Sequence, residues 1–171
     1  MVILVDENDK QTGIMSKMQA HREAKLHRAV SVFIFNRKGE WLLQKRAQNK
    51  YHSMGLWTNT CCTHPGPGEM DICSAERRLR EEMGITCELK EIFSFIYRED
   101  LENGLTEFEY DHVFTGFSES IPVPDANEVM DWKYVNFNEL DKDIQESPGS
   151  YSFWFREIFH KVNQFIQKEG L

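Results

Sequence analysis

Apolar residues come in short, nearly continuous runs over the first third of the chain, a pattern that favours buried β-strands. Residues 2–5, 29–35 and 41–45 are predicted strands. Residues 29–35 are apolar at every position except Ser31, which suits a strand buried on both faces. Arg37-Lys38-Gly39 supplies a turn between the second and third strands, so the pattern predicts a hairpin there.

The middle of the chain continues in β-type segments interrupted by turn residues. Residues 56–62 are a further strand candidate, ended by the breaker-rich stretch 64–68. Strands are also predicted at about 88–97, 107–117 and 132–137, with a turn at 102–104 between the first two. Residues 8–13 suggest a turn, and the polar segment 15–25 suggests a loop or a single helical turn.

Helical periodicity is clearest over residues 70–83. Ile72, Ala75, Leu79 and Met83 recur at spacings of three and four residues, and Gly84 supplies a C-terminal stop. Helices are also predicted at about 139–144 and 153–167. Strands and helices are mixed without βαβ regularity, which predicts an α+β fold with residues 1–171 as one domain.

The composition of the chain argues against several classes of function. The formal net charge of −8 argues against a nucleic-acid binder, which needs a basic face to neutralise phosphates. No apolar run approaches the roughly 18–20 residues that span a bilayer, and no signal peptide is evident, so no membrane role is expected. The four cysteines, 61, 62, 73 and 87, lack zinc-knuckle spacing and indicate reduced thiols in a cytoplasmic protein.

The most informative segment is residues 63–85, THPGPGEMDICSAERRLREEMGI, which has the spacing of a Nudix box. Glu69, Arg77 and the pair Glu81-Glu82 occupy its charged positions. Helix carboxylates one turn apart can share a hard cation that bridges to diphosphate oxygens, although Glu81-Glu82 alone would also suit a solvated helix end.

Two residues depart from the box. Thr63 stands where the box has glycine, and Arg78 stands where it has a glutamate that holds metal for hydrolysis. An arginine there removes a metal ligand and adds a cation that can bind diphosphate. The sequence therefore predicts a diphosphate site without hydrolytic chemistry.

The flanking motifs LHRAVSVF (26–33), WTNTCCTHP (57–65) and EFE (107–109) closely resemble the type I isopentenyl-diphosphate isomerases. The resemblance covers residues 21–154 and implies the Nudix fold, a mixed β-sheet between α-helices. It implies interconversion of isopentenyl and dimethylallyl diphosphate in isoprenoid biosynthesis, by metal-dependent proton transfer through a tertiary carbocation.

The resemblance also implies residue roles. Cys62, Glu109 and Tyr97 would be catalytic, with Tyr97 hydrogen-bonded to Glu109. The substrate-binding residues would be Lys17, Arg46, Lys50, Arg78 and Trp154. A divalent metal (Mn²⁺, Zn²⁺ or Mg²⁺) would be held by His21, His27, His64, Glu107 and Glu109. A Mg²⁺ ion arriving with the diphosphate would bind Glu82.

Some alternatives remain open at the level of sequence. Single histidines are more often structural or solvated than ligands, so His52, His112 and His160 receive no role. Trp154 also fits an amphipathic helix that packs on the core. A Nudix hydrolase of nucleoside diphosphate derivatives would need a carboxylate at position 78, and a non-catalytic binding module would not need Cys62. The partner expected is a small isoprenoid diphosphate, with no obligate protein partner.

Overall fold

A computed structural model describes residues 1–50, 52–101 and 104–169. Within these residues nine strands join one sheet. The strands are β1 (Val2–Val5), β2 (Gln11–Met15), β3 (His27–Phe35), β4 (Trp41–Arg46), β5 (Trp57–Thr58), β6 (Cys61–Thr63), β7 (Leu89–Asp100), β8 (Thr106–Phe117) and β9 (Val129–Val135). The helices are α1 (Lys17–Arg22), α2 (Asp71–Met83), α3 (Phe137–Glu146) and α4 (Phe153–Glu169), with a 3-10 turn at Pro148–Ser150.

Strand β3 is the centre of the sheet. It pairs antiparallel with β1, β4 and β6, and parallel with β8, so the sheet is mixed. His27 of β3 lies opposite Glu109 of β8, and Tyr97 of β7 lies opposite Glu109 from the other side. Residues that face each other across strands share one face of the sheet, and so does Glu107, two residues before Glu109. The register therefore gathers four polar side chains at one place.

The two faces of β3 are covered by different helices. Val30, Val32 and Ile34 belong to a buried cluster with Leu79 and Met83 of α2. Alternate residues of the same strand turn to the other face. Phe33 and Phe35 pack there with Phe155, Phe159 and Val162 of α4. The predicted two-sided burial of this strand is confirmed, and the sheet lies between helices as the α+β prediction requires.

The other predicted elements are found with shifted ends, and two predictions need correction. The candidate at 56–62 is two short strands, β5 and β6. The predicted turn at 8–13 is wrong over residues 11–13, because Gln11–Met15 form the edge strand β2, whose Gln, Thr and Gly obscure the alternation. For the segment 15–25, the helical alternative is confirmed: it contains the short helix α1, where the Ser16 hydroxyl accepts from the backbone N–H of Gln19. Of the predicted turn at 102–104, residues 102 and 103 lie outside the described residues.

The end of α2 is fixed by Gly84, as predicted. Its φ is +67°, in the left-handed region, and an added Cβ would lie 2.8 Å from the carbonyl oxygen of Val123. The backbone N–H groups of Val123 and Asp125 donate to the last carbonyls of α2, those of Met83 and Glu82. The loop before β9 is thus docked on the end of α2. Among the described residues, no helix is both long enough and apolar enough to cross a bilayer.

Candidate active site

A small cavity of about 40 Å³ lies where the ends of several strands meet the first turn of α4. Cys62 from β6, Tyr97 from β7 and Glu109 from β8 line it, together with Trp154 from α4. The three side chains predicted to be catalytic and the predicted substrate-binding Trp154 therefore line one small cavity, although they are distant in sequence.

The Cys62 thiol is held by a buried polar network. It donates to the side-chain oxygen of Asn59 at 3.1 Å and lies 3.6 Å from the hydroxyl of Ser31. Ser31 in turn donates to a carboxylate oxygen of Asp111 at 2.6 Å. Burial, and secondarily the charge of Asp111, raises the pKa of Cys62 to about 12. The thiol is therefore protonated at neutral pH.

Glu109 has the opposite protonation state. The Tyr97 hydroxyl donates to one of its oxygens at 2.7 Å, and Nε2 of His64 lies 2.9 Å from the other. Burial raises the pKa of Glu109, but the neighbouring histidines, first of all His64, outweigh burial and bring it well below the usual range. Burial and the charge of Glu109 raise the pKa of Glu107. Of the two neighbouring carboxyls, Glu109 is the one that stays ionised.

A group of metal-capable atoms surrounds Glu109. His21, His27, His64 and Glu109 each offer a ligand atom within 4.8 Å of the others. The Nδ1–H groups of His21 and His27 donate to the carbonyls of Lys17 and Lys25, at 2.9 and 2.8 Å, which sets the tautomer with a lone pair on Nε2.

The surroundings of the His27 Nε2 lone pair indicate that a cation fits beside Glu109. Its Nε2 is buried, has no hydrogen-bond partner in the described part of the chain, and lies 3.6 Å from a Glu109 oxygen. Two acceptor atoms facing each other in a buried place suit a cation between them. Four of the five predicted ligands are thus brought together. The fifth, Glu107, lies in an adjoining group with His21 and His52.

Of the three histidines without an assigned role, one lies at the site and two lie elsewhere. His52 lines the cavity, with its Nε2 3.4 Å from a Glu107 oxygen. Burial and the charge of Arg46 lower the pKa of His52 to about 3, so its ring is neutral. His112 and His160 lie elsewhere and pair with carboxylates such as Glu91 and Asp141, respectively. The one sequence signal for His52 was its nearness to Arg46 and Lys50.

A second, larger cavity of about 320 Å³ adjoins the first. Its lining includes all four predicted diphosphate-binding cations and the predicted Mg²⁺ ligand: Lys17, Arg46, Lys50, Arg78 and Glu82. Lys17, Arg46 and Cys62 line both cavities, so the two are neighbours. The arrangement offers a cationic pocket leading to a smaller space with acid and base groups.

Arg78 is oriented by carboxylates. Its guanidinium lies 2.5 Å from the buried Glu82, 2.9 Å from Glu81 and 3.2 Å from Glu128. Lys50 also pairs with Glu128. Glu128 was not predicted, because the docked loop before β9 that brings it to α2 has no local sequence signal.

Trp154 belongs both to the helix and to the site. Its indole is 3% exposed, donates to the side-chain oxygen of Asn59 at 3.1 Å, and has the Arg46 guanidinium 5.3 Å from its ring centre. The same Asn59 oxygen accepts from Cys62. Asn59 itself is anchored by donating to the carbonyls of Val32 and Cys61. The sequence motif contained Asn59, but nothing in its spacing indicated this role.

Comparisons with known proteins agree with this architecture. A NUDIX domain matches residues 25–155. A crystal structure from Deinococcus radiodurans has a TM-score of 0.70 at 19% identity, covering 85% of this chain and 88% of that one. A MutT protein from Methanosarcina mazei has a TM-score of 0.67 at 22% identity, covering 81% and 94%. The chain is thus a NUDIX-domain protein, which confirms the predicted fold.

Closer relatives specify the family within that fold. The chain is 54% identical over 161 residues to isopentenyl-diphosphate Delta-isomerase 1 of Aromatoleum aromaticum, covering 94% of this chain and 91% of the relative. It is 45% identical over 166 residues to the isopentenyl-diphosphate Delta-isomerase of Pectobacterium atrosepticum, covering 97% and 93%. The chain belongs to the isopentenyl-diphosphate Delta-isomerase family, as the sequence motifs indicated.

Proposed function

We propose that this chain interconverts isopentenyl and dimethylallyl diphosphate by moving a proton onto and off an alkene. The observation that carries the proposal is the shared cavity of Cys62, the Tyr97–Glu109 pair and Trp154, next to a pocket lined by four cations. Family membership supports the same reaction.

The acid and base roles are assigned to Cys62 and Glu109. The isomerisation needs one group that donates a proton to the double bond and another that removes one from the neighbouring carbon. Cys62 holds its proton and Glu109 does not, so the two carry complementary states. Tyr97, hydrogen-bonded to Glu109, orients that carboxylate toward the cavity.

The tertiary carbocation formed on the way must be shielded from water, which would trap it as an alcohol. The cavity is small, and Tyr97, Glu109 and Trp154 of its lining are buried. The face of Trp154 can stabilise a passing positive charge by about 0.5–2 kcal/mol without attacking it. Its bond to Asn59 holds the indole in place.

The diphosphate is assigned to the cationic pocket. Lys17, Arg46, Lys50 and Arg78 would bind its oxygens through charge-assisted hydrogen bonds, and a Mg²⁺ ion accompanying the diphosphate would use Glu82. Arg78 and Lys50 both form ion pairs with Glu128. When the diphosphate binds, part of these contacts with Glu128 would be replaced by contacts with the diphosphate oxygens.

A divalent ion (Mn²⁺, Zn²⁺ or Mg²⁺) is assigned to His21, His27, His64, Glu107 and Glu109. The mixed nitrogen and oxygen donors fit such an ion, as does the partnerless Nε2 of His27 within the described residues. When bound, the ion supplies positive charge that holds Glu109 and sets its acidity. We also propose that residues 1–171 act as one domain in the cytoplasm, where the Cys62 thiol stays reduced.

The test is isomerisation of isopentenyl diphosphate with divalent metal in deuterated water. The dimethylallyl product should carry solvent deuterium, because the delivered proton comes from an exchangeable group. Cys62→Ser and Glu109→Gln should each lose about 10²–10⁴-fold in rate, whereas the control Cys73→Ser, whose thiol lies outside the cavity lining, should keep its rate.

Two results would contradict the proposal. A Cys62→Ser variant with more than about a tenth of the activity would make Cys62 a packing residue. Release of phosphate from a nucleoside diphosphate derivative, with no dimethylallyl product, would instead support the hydrolase alternative.

A further inference from the structure

His52 lies on the loop between β4 and β5, mostly buried, with its ring against the proposed metal centre. Its ring centre is 6.2 Å from that of His21, close to the 5.9 Å that separates His21 from His64. The ring also contacts Trp154 in a T-shaped arrangement, with ring centres 6.1 Å apart. His52 therefore lies between the proposed metal centre and the proposed wall of the substrate cavity.

The His52 ring is held in one orientation. Its Nδ1 lies 3.1 Å from the Ser53 hydroxyl, and its backbone carbonyl accepts from Arg46 at 3.3 Å. These contacts leave Nε2 facing Glu107, at 3.4 Å from a carboxylate oxygen. A histidine whose second nitrogen is fixed by a hydrogen bond is the usual arrangement of a metal ligand.

The distances suit a shared ion. His21, His52 and Glu107 offer ligand atoms within 4.8 Å of one another. Two ligands bound to one ion at about 2.0–2.3 Å lie at most about 4.6 Å apart, so small side-chain movements bring these three into range.

His21 belongs to both groups of possible ligands. Its Nδ1 donates to the Lys17 carbonyl at 2.9 Å, so Nε2 is the nitrogen that would bind an ion in either group. One nitrogen binds one ion. The two groups therefore converge on a single centre, with His27, His64 and Glu109 on one side and His52 and Glu107 on the other.

We propose that His52 is a sixth protein ligand of this metal centre, alongside the five residues assigned above. The inference rests on the proposed metal centre and enlarges its donor set to four imidazoles and two carboxylates. Such a set favours a transition metal over Mg²⁺, which prefers oxygen ligands. Six protein ligands would also leave no coordination position open to solvent, which suits a reaction that must exclude water.

The test is metal binding by the full chain, measured without substrate. Apoprotein is titrated with Co²⁺, Zn²⁺ and Mg²⁺ by calorimetry, and the visible spectrum of the Co²⁺ form is recorded. The variants are His52→Gln, which keeps side-chain size, and His52→Ala. The control is His160→Ala, an exposed histidine on α4 that pairs with Asp141.

Both His52 variants should bind Co²⁺ and Zn²⁺ at least about 10-fold more weakly, with Mg²⁺ binding changed less. The weak visible bands of six-coordinate Co²⁺ should intensify as the coordination number falls. The His160 control should match the unmodified protein, and circular dichroism should show that all variants fold.

Unchanged Co²⁺ affinity and spectrum in both His52 variants would overturn the inference while leaving the metal centre intact. Lost isomerase activity with an unchanged Co²⁺ spectrum would likewise overturn it, by making His52 a substrate contact. If the unmodified chain bound none of the three metals, both the centre under Proposed function and its sixth ligand would be wrong.

Discussion

Replacing Arg78 by alanine would remove the cation that compensates a buried carboxylate. The Arg78 guanidinium lies 2.5 Å from one oxygen of Glu82, which is only 4% exposed. The other oxygen accepts from Gln44 at 2.9 Å. Burial raises the pKa of Glu82, and Arg78 is the largest influence that opposes the rise. Without Arg78, the ionised form of Glu82 becomes costly in the folded protein.

The expected magnitude follows from that geometry. Breaking a buried ion pair by removing one partner typically costs 3–5 kcal/mol. The Arg78 side chain is 21% exposed, and its contact with the more exposed Glu81 contributes little, so the loss for Arg78→Ala should be about 2–4 kcal/mol at neutral pH. In a chain of this size the melting temperature should fall on the order of 10 °C.

The pH dependence of this loss has a definite sign. A carboxyl whose pKa is raised in the folded state binds more protons there than in the unfolded chain. The free energy of unfolding then falls as pH rises through the window between the two pKa values. Removing Arg78 widens this window for Glu82, so the loss for Arg78→Ala should shrink as pH is lowered from 8 toward 5. Urea unfolding at several pH values, with divalent metal chelated, measures this.

Arg77 supplies a matched control one residue away on α2. Its hydrogen bonds to Glu69 lower the pKa of that carboxyl below the ordinary glutamate range. The stabilisation that the Arg77–Glu69 pair gives the folded state is therefore lost only when the pH falls through this lowered pKa. Arg77→Ala should therefore cost about 1 kcal/mol, constant between pH 5 and 8. Adding Glu82→Gln to Arg78→Ala should restore stability at neutral pH. A penalty that does not vary with pH, or no restoration by Glu82→Gln, would refute the reasoning.

Variants at Trp154, Asn59 and Gly84 test other parts of the structure. Trp154→Phe keeps an aromatic face but loses the bond to Asn59, so it should retain more isomerase activity than Trp154→Ala, which should also lose about 3–5 kcal/mol in urea unfolding. Asn59→Ala removes the hydrogen-bond partner of buried carbonyls, of the Trp154 indole and of the Cys62 thiol. At about 1–3 kcal/mol for each unsatisfied group, the free energy of unfolding should fall by several kcal/mol. Most of the activity in the deuterium assay should be lost as well. Gly84→Ala should lower the melting temperature more than Gly39→Ala, because both have positive φ but only Gly84 meets a carbonyl at 2.8 Å; equal losses would contradict the contact argument.

Local pattern was enough to predict most of the fold. The apolar run of β3 and the helical spacing of α2 each reflect burial against one or two neighbours, and both were confirmed. Edge strand β2 was missed because an exposed strand buries too little apolar surface to leave alternation in the sequence. The altered box and the WTNTCCTHP motif indicated the family, because residue identity at fixed spacing is itself a sequence property.

The candidate active site is formed by contacts between residues that are far apart in the sequence, so the sequence pattern does not reveal these contacts. The sequence by itself determined which side chains were present, including Arg78, Cys62 and Glu109. Only the parallel register of β3 with β8 decided that His27 and Glu109 would be neighbours across some 80 residues. Tertiary structure likewise placed His52 against Glu107 and left His160 exposed, although the two are chemically identical. The physical reason is that burial, pairing and the resulting pKa are set by whatever the fold packs around a side chain.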